Sequence, residues 1–254
     1  MKKLIVLSVA VLLTLSLQAA ITNTYEVVID SATLSVQPTP TDLAQAPSTV
    51  RTIISGGMHG VTPGEEGFSL FFDSIAEGNF GTNQVGPYNL DTGLFSDGVS
   101  NGTTFICIFD APKKIQEVHI FGYWGDDRQF NYTEIWGSTT GTNDADYTKL
   151  GTMVNGEWHE TNDPPNQSYY RTSRLYDPDD GTLANNIRSL KFVQKNCGYG
   201  IEAGKGVMLE PNTPQGSYVG CSGSAIREID IIGIPEPTLL FSGLLLGLAF
   251  LRRK

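Results

Sequence analysis

The sequence predicts an all-β protein, a β-sandwich, and three observations carry that expectation. Short apolar stretches rich in β-branched and aromatic residues recur through the second half of the chain. Gly, Pro, Asn and Asp punctuate the gaps between them, and no stretch keeps helical spacing over enough turns to compete. Many short strands separated in this way read as two packed sheets. Of the 254 residues, residues 21–233 remain once the two targeting segments described below are set aside, enough for one β domain with its own core.

Taken in order, Tyr25 to Val36 has β-branched residues with partial alternation and suggests a strand pair. A Pro and Thr stretch, Gln37 to Thr49, follows as a loop. Residues 51–54 (RTII) and 68–72 (FSLFF) are short strands, and 73–101 is mostly turns. From Thr103 the pattern sharpens into TTFICIFD, IQEVHIFGYW, NYTEIWGS, DYTKLGTM, YRTSRLY, IRSLKFVQ and AIREIDIIG. Two loops are long, Asn155 to Ser168 and Lys195 to Ser224.

Charge and cysteine content narrow the class. The formal −10 includes +2 from the first segment and a net +2 from the last, which leaves −14 on residues 21–233. Such a surface repels nucleic acid and anionic lipid and suits solubility or divalent cations. Cys107 lies in the apolar run Phe105 to Phe109 and reads as a small buried hydrophobe. Cys197 and Cys221 both fall in Gly-rich loop sequence, so their pairing is plausible in an oxidising compartment. That disulfide would close a loop of about 25 residues and contribute roughly 3 kcal/mol.

Both ends carry membrane signals. Lys2 and Lys3 precede an uncharged segment, Leu4 to Leu17, and Gln18, Ala19 and Ala20 supply the small residues that signal peptidase needs, so residues 1–20 read as a secretory signal peptide. At the other end Pro235, Glu236 and Pro237 break regular structure, because each Pro fixes φ and lacks an N–H. An uncharged span, Thr238 to Leu251, follows, and Arg252, Arg253 and Lys254 close the chain. At 1.5 Å per residue the span reaches about 21 Å as a helix, short of a hydrocarbon core of roughly 30 Å. It has no polar stripe, however, as a helix on the surface of a globular core would. Basic residues retained inside at both ends place residues 21–233 across the membrane.

This tail, residues 234–254, resembles the PEP-CTERM sorting signal of bacterial surface proteins: Pro-Glu-Pro, hydrophobic span and Arg-rich end occur in that order. The resemblance implies recognition and removal by an exosortase-type membrane protease. Transient membrane anchoring through 238–251 would precede release or surface attachment.

The strands from Leu94 to Gly233 resemble the galactose-binding-like, or discoidin-like, jelly-roll sandwich. LFSDG (Leu94 to Gly98) stands where that family opens its core with an Asp-Gly turn, IQEVHIFGYW through DYTKLGT looks like its central strands, and AIREIDIIG looks like its closing strand. The long Lys195 to Ser224 insertion departs from the shorter members. The family often holds a structural calcium where the turn meets the closing strand, which implies Asp97 and Glu228 as ligands, with oxygens near Ser100 and Thr103. An Asp-Gly turn also forms for backbone reasons alone. DPDDG (Asp177 to Gly181) lacks calcium-loop spacing and reads as an Asx-rich turn.

Sugar binding needs aromatic faces and planar hydrogen-bonding groups on loops at one end of the sandwich. The loop after Tyr123 offers Trp124, Asp126, Asp127 and Arg128, and later loops offer Trp158, Tyr169 and Tyr199. The plainer reading of these residues is a core rim and a local Asp127–Arg128 ion pair. For catalysis the sequence offers little. His59, His119 and His159 are far apart, GCSGS (Gly220 to Ser224) misses the nucleophile-elbow pattern, and adjacent Asp126 and Asp127 point to opposite faces if extended. The expectation is an exported surface or matrix protein, not an enzyme, whose partners are signal peptidase, an exosortase-type protease and a polysaccharide. A structural protein without a small-molecule ligand is the alternative, and a secreted hydrolase a more distant one.

Overall fold

The computed structural model describes residues 20–39, 42–55, 93–94, 103–124, 131–157, 169–195, 198–202, 205–209 and 225–234. The signal peptide, the Pro-Glu-Pro tail, FSLFF, Asp97, Asp127, Arg128, Trp158, Cys197 and Cys221 lie outside them. The described residues form eleven strands: β1 (Thr22–Val28), β2 (Val50–Ser55), β3 (Gly93–Leu94), β4 (Thr103–Trp124), β5 (Tyr132–Ser138), β6 (Thr148–Val154), β7 (Tyr169–Tyr176), β8 (Ala184–Lys195), β9 (Gly198–Glu202), β10 (Lys205–Leu209) and β11 (Ala225–Gly233). The all-β expectation holds, and among the described residues no helix is long and apolar enough to cross a membrane.

Strand β4 organises the sandwich. Its first half, Thr103 to Ile108, pairs with β2 and β8, and β8 continues the layer through β5 to β6. Its second half, from Ile115, pairs with β7 on one side and β11 on the other, while β1 lies outside β7 and β3 outside β11. All these pairings are antiparallel. Sequence reading divides TTFICIFD from IQEVHIFGYW, whereas the backbone stays extended through Asp110 to Lys114. The register with β8 breaks between Ile108 and Lys113, so Pro112 sits where no ladder hydrogen bond is lost.

Apolar side chains alternating toward the interior from both halves make one core. Phe105, Cys107, Leu190, Phe192, Ile135 and Met153 from the first layer meet Val118, Ile120, Leu175, Ile226, Ile229 and Ile231 from the second. Phe105 and Phe192 stack with ring centroids 4.7 Å apart. Cys107 is fully buried among them, and burial pushes its thiol up to about 12, which keeps it inert. Edge strands β6 and β1 then close one side: Asn23 Nδ2 donates to the Val154 carbonyl at 3.1 Å. Gly151 lets Leu175 approach so closely that a Cβ there would lie 2.8 Å from its Cδ1.

Two expectations change. Residues 25–36 are not a strand pair: β1 ends at Val28 and a 3-10 turn at Ser31–Thr33 turns the chain outward. The following segment, described over 29–39 and 42–49, forms a strap that begins over the outer face of the second layer and then meets the backbone of β11, where Ala44 enters the core with Leu43 packed against it. Leu34 packs on Phe121, beside Val28, Val36 and Tyr170. Glu26 accepts from the backbone N–H and hydroxyl of Ser35, and Leu43 N–H donates to the Ile231 carbonyl at 2.8 Å. The second change lies within Lys195 to Ser224, where β9 and β10 pair as a hairpin.

Candidate functional site

Strand ends bring the predicted binding loops to one end of the sandwich. Trp124, the last residue of β4, pairs with Tyr169, the first of β7. Tyr132 opens β5 opposite both Val154, the end of β6, and Lys195, the end of β8. The connections 125–131, 155–168 and 196–197 therefore leave from the same end. Trp124 stands at one strand terminus and Tyr199 in β9, just beyond another; Asp127, Arg128 and Trp158 belong to the connections themselves.

A buried polar plug joins the two layers under these loops. Arg171 is 1% exposed, points between the layers and donates from Nη1 to the Asn155 carbonyl at 2.8 Å. Asn155 Oδ1 accepts from the Asn131 N–H at 2.8 Å, and Asn131 Nδ2 donates to Ser173 Oγ at 3.3 Å. The Thr133 hydroxyl donates to Asn131 Oδ1 at 2.6 Å and is also hydrogen-bonded to Gln194. Polar groups taken out of water stay stable when paired in this way, and the pairing holds strand ends in one geometry. Tyr25 stands at the rim, its phenol pKa raised by partial burial and by the adjacent Glu157. Sequence reading missed Arg171, because a charged residue on an alternating strand normally faces water.

The second feature is a buried acidic cluster where the strap meets β11. Asp42 from the strap is 4% exposed, and Glu228 and Asp230, two apart on one face of β11, are both 0% exposed. Their candidate ligand oxygens all lie within 4.8 Å of one another. Asp42 Oδ1 accepts from the N–H groups of Ala44 (2.6 Å) and Ile231 (3.3 Å), and Asp230 Oδ2 accepts from Thr39 N–H at 2.9 Å. Burial raises the Asp42 carboxyl, and burial, then the neighbouring Asp42, raises Asp230 to about 7. Asp230 and Glu228 are hydrogen-bonded side chain to side chain, and among the described residues no N–H or O–H outside the cluster reaches the buried Asp230 Oδ1. Three carboxylates this close cannot all ionise unless a proton or a cation joins them. Hard oxygens, multiple negative charge and an oxygen without an outside donor fit calcium. Of the ligands implied by resemblance, Glu228 is in the cluster and Asp97 lies outside the described residues, while Asp42 and Asp230 were missed. The carboxylates of AIREIDIIG at alternate positions were the available signal for Asp230.

Beside the cluster on the same sheet face, Glu117 lies between His119, whose Nε2 is 3.0 Å from its Oε2, and Arg174, with which it is ion-paired. Burial alone would raise the Glu117 carboxyl, but His119 and Arg174 outweigh it and bring it down to about 2. His119 is thus a strand residue beside the Glu117–Arg174 ion pair, its backbone opposite Asp230 on one side and Arg174 on the other.

Fold and site together define a β-sandwich with a braced loop end and a buried acidic clasp. No protein-family profile matches the chain. No curated protein matches it either. Solved structures that it resembles include CpGH89CBM32-6 of Clostridium perfringens, at 15% identity over 76% of this chain and 99% of that one, with a TM-score of 0.38. A Ruminococcus gnavus GH29 fucosidase complexed with fucose matches at 14% identity over 78% of this chain, with a TM-score of 0.41, and the chain spans only 28% of that protein. The K2 cleaved adhesin domain of Lys-gingipain matches at 14% identity over 57% of this chain and 70% of that one, with a TM-score of 0.32.

Proposed function

We propose that the protein is exported, sorted through its Pro-Glu-Pro tail, and displayed at the cell surface or in the extracellular matrix, where the loop end of its sandwich binds polysaccharide. The observation that carries the binding reading is that the strand ends at Trp124, Tyr132, Val154, Tyr169 and Lys195, from which these connections leave, share one end braced by Arg171. Trp124 and Trp158 supply stacking faces and Asp127 and Arg128 planar hydrogen-bonding groups, the combination that recognises sugar hydroxyls around an apolar ring face. Asp42, Glu228 and Asp230 would hold a structural calcium, whose positive charge would let the buried carboxylates remain ionised. No reaction is assigned to the site.

Binding of the full chain in detergent to a panel of bacterial polysaccharides tests this reading. Retention by at least one polysaccharide, lost in a Trp124→Ala, Trp158→Ala double variant, is expected. Undiminished binding by that variant refutes the site, and binding to no polysaccharide favours a purely structural protein. Mass spectrometry of the mature protein from its native host tests sorting, the expected result being a C-terminus near Pro235 to Pro237. An intact tail on cytosolic protein refutes it.

A further inference from the structure

The strap's polar attachments to β11 pass through the acidic cluster. Thr39 N–H donates to Asp230, Ile231 N–H donates to Asp42, and Leu43 N–H, next to Asp42, donates to the Ile231 carbonyl. Both shoulders of the strap are fastened elsewhere. On the N-terminal side Ser35 is held by Glu26; on the C-terminal side Thr49 Oγ1 donates to the Leu43 carbonyl at 2.7 Å and Arg51 donates to the Ala44 carbonyl. The contact between Thr39, Asp42 and β11 is therefore the place where the strap brings a buried carboxylate against two others, with Arg51 the cation that acts on Asp42.

We propose that this contact is a cation-operated latch: a divalent cation bridging Asp42 on the strap to Glu228 and Asp230 on β11 clamps the strap over the outer sheet face, and its removal lets that contact open. The inference rests on the calcium reading above and adds that the ion's effect is local. With the cation absent, repulsion falls on the joint that Asp42 spans, beside the core residues Leu43 and Ala44, while the shoulder at Glu26 and Ser35 does not contain these carboxylates. An exported chain meets abundant calcium only after crossing the membrane. The latch accordingly stays loose in the cytosol and closes outside, so the strap, which also covers Phe121, is completed after export.

Hydrogen exchange on the full chain in detergent, with calcium chloride or with EDTA, reads the latch, and calorimetric titration of calcium into the chelated protein reads the ion separately. Calcium is expected to slow exchange at the Thr39, Leu43 and Ile231 amides about tenfold, with β5 and β8 amides unchanged. Asp42→Asn keeps an oxygen acceptor for Ala44 and is expected to lose the calcium-dependent part of that protection; Glu228→Gln, which leaves the strap sequence intact, is expected to do the same. Calcium binding by calorimetry with no change at the strap amides overturns the latch and leaves the ion site standing. Absence of both heat and protection overturns the calcium reading and the latch with it. Protection that spreads equally to β5 and β8 also overturns it, since the ion would then stabilise the whole fold.

Discussion

Without calcium, the domain should lose stability as pH rises from 5 to 8, the reverse of acid denaturation. Asp230 has a folded-state carboxyl raised from 3.8 to about 7, so the folded state binds its proton more tightly than the unfolded state does. The stabilisation from that proton is full below pH 3.8 and is lost as pH rises through about 7. The interval between those values corresponds to about 4 kcal/mol, a large part of a typical domain's stability. Asp42 is shifted in the same direction and adds to the loss. Urea denaturation of the full chain in EDTA at pH 5 and pH 8 measures the part above pH 5, about 3 kcal/mol. Asp230→Asn removes the titrating group while keeping an oxygen for the Thr39 N–H, so the variant in EDTA should be more stable than wild type at pH 8 and less dependent on pH. A wild-type domain equally stable in EDTA at both pH values, or an Asn variant that loses as much as wild type, would refute the reasoning.

On the acid side, the depressed Glu117 carboxyl contributes stability that is present above pH 4.5 and lost as pH falls toward 2, up to about 3 kcal/mol. Glu117→Gln should abolish most of that limb in acid-denaturation curves and leave the pH 5 to 8 behaviour unchanged. Phe192→Ala, which removes a fully buried ring stacked on Phe105, should cost about 3–5 kcal/mol in urea denaturation. Arg171→Ala should cost about 3 kcal/mol and increase proteolytic cleavage within 155–168, because the Asn155 carbonyl loses the donor that joins the layers. A loop-cleavage rate equal to wild type would show that Arg171 does not brace that end.

Much of the sandwich was readable from residue order, and the exceptions have physical causes. Strands β5, β7 and β11 fall where period-two alternation and bounding turn residues place them, β6 begins within two residues of its expected start, and β8 begins three residues before its own. Strand β4 was divided because Pro112 and the charges around it read as a turn, yet Pro removes only an N–H, and the register break leaves none needed. The β9–β10 hairpin was missed because GYGIE and KGVML show little alternation among glycines. At the sites, polar residues on strands were expected to face solvent. Arg171 instead points between the layers, Asp230 is met by Thr39 of the strap, and Glu117 is buried beside it against His119 and Arg174. A strap of Pro and Thr residues carries no periodic signal, so neither its path nor the burial beneath it could be read in advance.

The direction of β11 has a mechanical meaning. The strand begins beside Gly122, near the loop end, and finishes opposite Ile115, where Ile234 N–H donates to the Lys114 carbonyl at 2.9 Å. Under the function proposed above, a tether leaving at residue 234 and a glycan held at the loop end would pull at opposite poles, with tension running along the strands. Antiparallel ladder bonds lie across that line, so they share the load in shear instead of peeling one by one. Such a geometry suits a molecule held to a surface at one pole and dragged by flow at the other.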